Sequence, residues 1–343
     1  MGRKNIARTV VASVCLIFLI LDTKTAIEGT TEGIALCLNC IIPSLLPFCI
    51  LSKLVCAGIL GKKLPFSNAL GMPKGTESIL ILGLIGGYPI GAQCIDDAYQ
   101  TGAISETDAK RMLGFCNNAG PAFLFGVMSC LFSTKTPLIS LYIIHILSAI
   151  LVGLLLPSKS VNQCTLSGTG TLTLTKAVEQ SVKTMISVCS WIIIFKIILS
   201  FIQRWFGLFL SPEMYAVVAG ILELSNGSLA LLGIDQLGLR FILASVFLAI
   251  GGGCIALQTI SVTKHCGIGV YFIGKLLQGM ISLFLSSIIQ FCIFSQAEIF
   301  IFTQYITFIS GFGILAATFL LYKKEKSYSI CQINGVRYKK IVR

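Results

Sequence analysis

The chain has 343 residues, of which 55% are hydrophobic and 12% charged, and its mean hydropathy is +0.89. Soluble domains carry roughly 25% charged residues. Polar residues this sparse cannot cover a soluble core. Composition therefore excludes a soluble enzyme, a disordered chain and a secreted disulfide scaffold, and points to a polytopic membrane protein. The net charge of +12 invites a nucleic-acid partner, but its placement argues otherwise. Arg3, Lys4 and Arg8 precede the first apolar run, and Lys323, Lys324, Lys326, Arg337, Lys339, Lys340 and Arg343 follow the last. Such basic ends are the mark of cytoplasmic termini. The lipid bilayer is the expected large partner, and no nucleic acid is.

In chain order, a basic leader and a first apolar run occupy residues 1–25, the run itself lying at 9–21. It has the outline of a signal peptide, but Asp22-Thr23-Lys24-Thr25-Ala26 holds no small-x-small cleavage pattern, so a retained span is expected. Residues 26–39 are half polar and read as an amphipathic stretch at the interface, with a second span at 40–60. A polar loop with Lys62, Lys63, Pro73 and Lys74 leads to an apolar run at 79–95. The charged segment 96–111, with Asp96, Asp97, Glu106 and Asp108, reads as a solvated hairpin tip before runs at 112–132 and 136–156. Residues 157–173 are a Ser/Thr/Gly linker. Runs at 186–210, 214–233, 238–262, 268–294 and 299–322 follow, then a basic tail at 323–343. Each run is near the ~20 residues of a membrane helix. The predicted fold is thus all-α and polytopic, with about eight to ten membrane segments, some re-entrant.

No enzyme is expected. The only histidines are His145 and His265, far apart, and no serine elbow, phosphate-binding loop or H-E-x-x-H motif is present. Among 14 cysteines the one motif is Cys37-x-x-Cys40, without the four convergent ligands of a zinc site. Neither metal nor cofactor is predicted. Scattered cysteines in apolar runs act as small hydrophobes.

The chain also matches itself. Ala26-Ile27-Glu28 and Ala177-Val178-Glu179 correspond at an offset of 151, and each opens a half-polar stretch entering an apolar run. Gly86-Gly87-Tyr88-Pro89-Ile90-Gly91-Ala92-Gln93 aligns with Gly251-Gly252-Gly253-Cys254-Ile255-Ala256-Leu257-Gln258 at an offset of 165, with four of eight positions identical. Two matches in the same order predict two repeats, 26–156 and 174–322, inverted by analogy with transporters. Glycine clusters inside apolar runs break helices, and the freed backbone groups must meet protein, water or solute. Close helix packing is the alternative use of such glycines.

Three polar groups lie inside apolar runs. Asn117 and Asn118 precede Gly120-Pro121, where a regular helix cannot continue, so they should line a cavity or glue helices together. Glu223, with Ser225 and Asn226 beyond it, would carry a proton or coupling cation, or pair with Lys196. Lys196 and Lys275 would meet an anion or snorkel to headgroups, the latter preferred for Lys275 after Gly274. The candidate substrate-binding set is Gly86, Gly87, Tyr88, Pro89, Gln93, Asn117, Asn118, Gly120, Glu223, Ser225, Asn226, Gly251, Gly252 and Gln258.

GGYPIGAQ, CNNAGPAFLFG, and GILELSNG followed by GGGCIALQ together resemble the YlbJ family of sporulation integral membrane proteins, which carry the nucleoside-recognition gate domain. IIPSLLPFCILSKLV, with Pro43, Ser44, Leu45, Pro47 and Phe48, is similar to that domain's opening segment. The resemblance implies a transporter of dipicolinic acid from the mother cell to the space around the forespore, in the outer forespore membrane. The chain is therefore expected to carry a small anionic solute, the broken segments forming its site. A nucleoside or cation transporter of the same architecture, and a non-transporting scaffold for spore assembly, are the other readings.

Overall fold

In a computed structural model of the chain, residues 3–59, 67–158, 172–263, 265–294 and most of 307–321 are described. Lys62 and Lys63, nearly all of the predicted linker, much of the run at 299–322 and the tail at 323–343 lie outside the described residues. Every regular element among the described residues is a helix. Five helical stretches among them are long and apolar enough to cross a membrane: Thr23–Ile59, Lys135–Leu155, Leu174–Phe206, Leu237–Val262, which is interrupted at Gly251, and Gly269–Ile293. Ile6–Leu21, Glu77–Gly86, Pro212–Leu222 and Ile309–Thr318 are shorter apolar helices.

Three of the predicted runs are interrupted, for a physical reason. The runs at 79–95 and 214–233 are each cut into helices of 7 to 11 residues. At about 1.5 Å per residue none of these pieces crosses a hydrocarbon layer of about 30 Å. They are α4 (Glu77–Gly86) and α5 (Ile90–Gln100), and α9 (Pro212–Leu222) and α10 (Leu224–Ala230). The run at 112–132 is also interrupted. Helix α6 (Glu106–Leu113) ends, residues 114–120 run buried without regular structure, and a distorted turn starts at Pro121.

Toward the N-terminus, α1 (Arg3–Leu21) leads to Asp22, whose carboxylate caps α2 (Thr23–Leu36) by accepting from Thr25 N at 3.1 Å. The predicted divide between an interfacial stretch at 26–39 and a span at 40–60 is replaced by one long helix, α2 continuing through a π turn at Cys37–Ile41 into α3 (Ile42–Ile59). The loosened winding precedes Pro43, which has no N–H to donate, and Ser44 Oγ donates back to Cys40 O at 2.5 Å. Helix α2 runs antiparallel to α8 (Leu174–Phe206). Gly29 faces Ser200, Gly33 faces Ile193 and Lys196, and Cys37 Sγ lies on Cys189 O at 3.8 Å. The small-x-x-x-small spacing allows this close approach. Glu32 and Lys196 bridge the pair at 2.7 Å. Exposed Ile27, Ile34 and Leu38, with Ile186, Ile194 and Ile198, form the outward apolar faces.

The charged segment 96–111 is a solvated tip only in part: Asp97, Glu106 and the turn at 101–102 are exposed. Asp96, Asp108 and Arg111 are buried, and α5 and α6 carry them against the bundle. The Arg111 guanidinium donates to the carbonyls of Leu70, Gly71, Gly153, Leu156 and Pro157 at 2.6–3.2 Å. It thereby closes the C-terminal end of α7 (Lys135–Leu155), where a cation is favoured. Asp96 accepts from Gln100 and meets His265 Nδ1 at 3.3 Å. At the centre, α11 (Leu237–Ile250) and α13 (Gly269–Ile293) pack against α7 and each other, with Ser245 and Ser282 hydroxyls 2.7 Å apart, and α12 (Gly252–Val262) packs on α8 and α9.

Candidate functional site

Both expected glycine breaks are present. Helix α4 stops at Gly86, Gly87 has φ +78°, and α5 starts at Ile90. Helix α11 stops at Ile250, Gly251 and Gly252 have φ +77° and +78°, and α12 follows. These dihedrals suit glycine, and space demands it as well. A Cβ on Gly87 would lie 3.0 Å from Gly120 N, and one on Gly252 would lie 2.9 Å from Gly220 O. The breaks meet: Tyr88 Oη donates to Leu248 O at 3.3 Å and lies beside Gly251.

The irregular segment 114–120 threads between them. Its Cys116 carbonyl occupies the space a side chain would need at Gly83 or Gly91. Asn117 Oδ1 accepts from Ala92 N at 3.3 Å and its Nδ2 donates to Thr259 Oγ1 at 2.9 Å, joining α5 to α12. Asn118 Nδ2 donates to Phe115 O at 2.7 Å, and its Oδ1 accepts from Gln278 Nε2 at 3.0 Å and Lys275 Nζ at 3.3 Å. Ala119 N donates to His145 Nε2 at 3.1 Å.

A cavity opens where these pieces converge, with about 650 Å³ of empty space counting the part open to the outside. Gly86, Gly87, Tyr88 and Gly120 line it together with Glu223, Ser225 and Gln258, and apolar side chains such as Leu45, Phe123, Met185, Val188, Ile192 and Ile255 make up most of the wall. Seven of the fourteen candidate residues thus share one wall system. Gly251, Gly252, Pro89 and Asn226 stand immediately behind it, at the breaks or on the Glu223 carboxylate. Asn117 and Asn118 lie deeper, fully buried in bonds between elements. Gln93 is half-buried and away from the lining, although its counterpart Gln258 is in it.

Glu223 sits in the gap between α9 and α10. Its carboxylate accepts from Ser225 N at 2.9 Å and from Asn226 N and Nδ2, both at 2.7 Å, so it caps α10 with its own charge on the helix N-terminus. The expected partner Lys196 is elsewhere, on Glu32. No cation forms a salt bridge with Glu223 among the described residues. That end of α10 is consequently closed to an incoming anion.

Lys275 corrects the snorkelling expectation. Gly274 rests directly on the Gly114 backbone, which turns the next residue inward rather than toward a headgroup. Lys275 is 3% exposed, and its Nζ donates to Gln278 Oε1 at 2.8 Å, Tyr88 Oη at 3.1 Å and Asn118 Oδ1 at 3.3 Å. It also lies 5.1 Å from the centre of the Tyr88 ring. Sequence reasoning left out Gln278, His145 and Thr259. Gln278 one helical turn beyond Lys275 was the available signal, since two polar residues on one face of an apolar helix seek a common partner.

An all-helical polytopic membrane protein, with broken helices around a largely apolar cavity that holds a few polar groups, is the class that this fold and site define. The chain is similar to the sporulation integral membrane protein YlbJ of Bacillus subtilis (strain 168), with 26% identity over 311 residues covering 75% of this chain and 76% of the relative. That similarity supports the YlbJ family. No family model and no solved structure matches the chain.

Proposed function

We propose that the chain is a carrier rather than an enzyme, moving a small anionic solute across a bacterial membrane, with dipicolinic acid during spore formation as the substrate. The observation that carries this reading is the meeting of two glycine breaks beside one cavity, whose largely apolar wall also holds Tyr88, Glu223, Ser225 and Gln258. Broken helices expose backbone polar groups, which is tolerable inside a membrane only beside protein or a solute-accessible cavity. A scaffold has no need of such an arrangement. A buried ammonium behind Tyr88 favours a negative solute. Similarity to a sporulation membrane protein supports a membrane role in sporulation.

In this reading the halves 26–156 and 174–322 are gate-like repeats in inverted relation. The antiparallel pairing of α2 with α8 supports the inversion, and the aligned positive-φ glycines Gly87 and Gly252 support the repeat. Both termini are cytoplasmic, and the membrane is the outer forespore membrane. Glu223, lining the cavity without a countercation among the described residues, is the place for a coupling ion.

The test is uptake by the full chain in proteoliposomes, with labelled dipicolinate and a nucleoside side by side. Dipicolinate accumulation above that of empty liposomes is expected. Nucleoside accumulation alone would establish a nucleoside carrier of the same architecture, and accumulation of neither would favour the scaffold.

A further inference from the structure

We propose that Lys275 is the residue that receives a carboxylate of the carried solute, with Asn118 and Gln278 completing the subsite and Tyr88 as the side chain that the carboxylate displaces. The inference deepens the carrier reading and rests on it. Three observations support it independently of any relative.

The first is an unmatched charge. Lys275 Nζ is buried, and its three bonds go to neutral oxygens of Gln278, Tyr88 and Asn118. No carboxylate lies within salt-bridge distance of it among the described residues. A buried cation without a counterion is costly. A neutral side chain would cross-link the same groups at lower cost, so structure alone does not account for a lysine. The other buried cation among the described residues, Arg111, is already saturated by five carbonyls.

The second is an unmatched donor nearby. His145 is 2% exposed and its Nε2 accepts from Ala119 N, so the neutral ring carries its hydrogen on Nδ1. That Nδ1 has no hydrogen-bond partner among the described residues, and Gln278 Nε2 ties the same residue to the cluster through His145 O at 3.5 Å. Asn118 Oδ1, for its part, is shared between Lys275 and Gln278 Nε2. The cluster therefore offers more donors than the protein supplies acceptors, which is the condition a carboxylate relieves.

The third is access. Tyr88 lines the cavity and also accepts from the ammonium, so its side chain reaches from one to the other. It stands on the Gly87 break, and its own donation, to Leu248 O, is long at 3.3 Å. One point charge with two amides suits a carboxylate attached to a flat ring that takes the tyrosine's place. It suits a phosphate less well, since that would need more cations than one lysine provides.

The experiment uses the full chain in detergent, measuring binding by thermal stabilisation, and in proteoliposomes, measuring uptake. The ligands are dipicolinate, benzoate, and the uncharged diamide of dipicolinate. K275Q, K275M and K275R are compared with the parent. Carboxylates but not the diamide should stabilise the parent. K275Q and K275M should accumulate normally and bind carboxylates roughly 10- to 100-fold more weakly, with K275R retaining part of the affinity. Variants that bind dipicolinate like the parent would overturn the inference and leave the carrier reading standing. A parent that binds neither carboxylate would also overturn it, while the uptake arm judges the carrier on its own. Lysine-dependent benzoate binding without dipicolinate uptake would keep the inference and remove dipicolinate as the substrate. Failure of all three variants to fold would make Lys275 a structural cross-link and overturn the proposal.

Discussion

The two glycine breaks match in sequence and differ in what they deliver. The first inserts a side chain: Tyr88 crosses from the α4–α5 gap to the last turn of α11 and to Lys275. The second inserts only backbone, and Gly252 lies against the carbonyls of Gly220 and Ile221, just ahead of Glu223. One break is therefore tied to the buried cation and the other to the buried carboxylate. A pair of similar segments in two halves of a chain need not be two copies of one function. The aligned Gly87 and Gly252 share a φ of +78°, whereas Gly86 ends a helix where its counterpart Gly251 has φ +77°, and the unshared residues place a cation at one break and a carboxylate beside the other.

The comparison is broken most directly at the glycines. Gly87 has φ +78° and ψ −178°, a region open to glycine alone, whereas Gly251 has φ +77° and ψ −17°, near the left-handed region that asparagine tolerates. Gly87→Asn should cost about 1–3 kcal/mol in backbone strain, with a further penalty from the backbone of Gly120. Gly251→Asn should cost about 1 kcal/mol, since its nearest neighbours are side-chain atoms at 3.3 Å. Thermal unfolding of both variants in detergent checks this, and equal losses would erase the distinction between the breaks.

Glu223→Gln tests the second break. The amide replaces one of two accepting oxygens with a donor facing the N–H groups of Ser225 or Asn226, so α10 should lose about 1–3 kcal/mol of stability. Adding Lys196→Met should not restore protein levels, because Lys196 pairs with Glu32 at 2.7 Å. Recovery in the double variant would mean that the lysine reaches Glu223 after all.

A smaller loss is expected from Asn117→Ala. It leaves Ala92 N without its partner, while Thr259 Oγ1 keeps its bond to Ile255 O. Stability should fall by about 1 kcal/mol, and dipicolinate uptake should fall further, because α5 and α12 lose their clamp. Unchanged uptake would reduce Asn117 to helix glue.

The breaks were legible because glycine and proline act locally. Gly86-Gly87, Gly120-Pro121 and Gly251-Gly252 interrupt helices wherever the chain places them. The polar partners were not legible in the same way. The choice between Glu32 and Glu223 as the partner of Lys196 depends on how α2 lies on α8, and hydropathy carries no such information. Lys275 was misread for a related reason. Gly274 looked like a sign of an interfacial helix end, but its use is to seat α13 on Gly114, a contact between residues far apart in sequence. Charged residues at 96–111 looked solvated because charge density is read locally, whereas Arg111 finds its acceptors on the end of α7 and the turn near Gly71.

The smallest effect is also the sharpest test of the asymmetry. Tyr88→Phe keeps the ring in the cavity wall and its position 5.1 Å from Lys275 Nζ. It removes the 3.1 Å bond accepted from the ammonium and the long bond donated to Leu248 O. Stability should drop by about 0.5–1.5 kcal/mol, the usual net value of such bonds. Carboxylate binding should move the opposite way. The phenol oxygen competes with an incoming carboxylate for the same ammonium, so its removal should tighten dipicolinate binding by roughly two- to tenfold. A residue that merely braces the site would lose stability and affinity together. Calorimetric titration of Tyr88→Phe decides between these, and weaker binding would assign Tyr88 to holding the solute rather than to occupying its place.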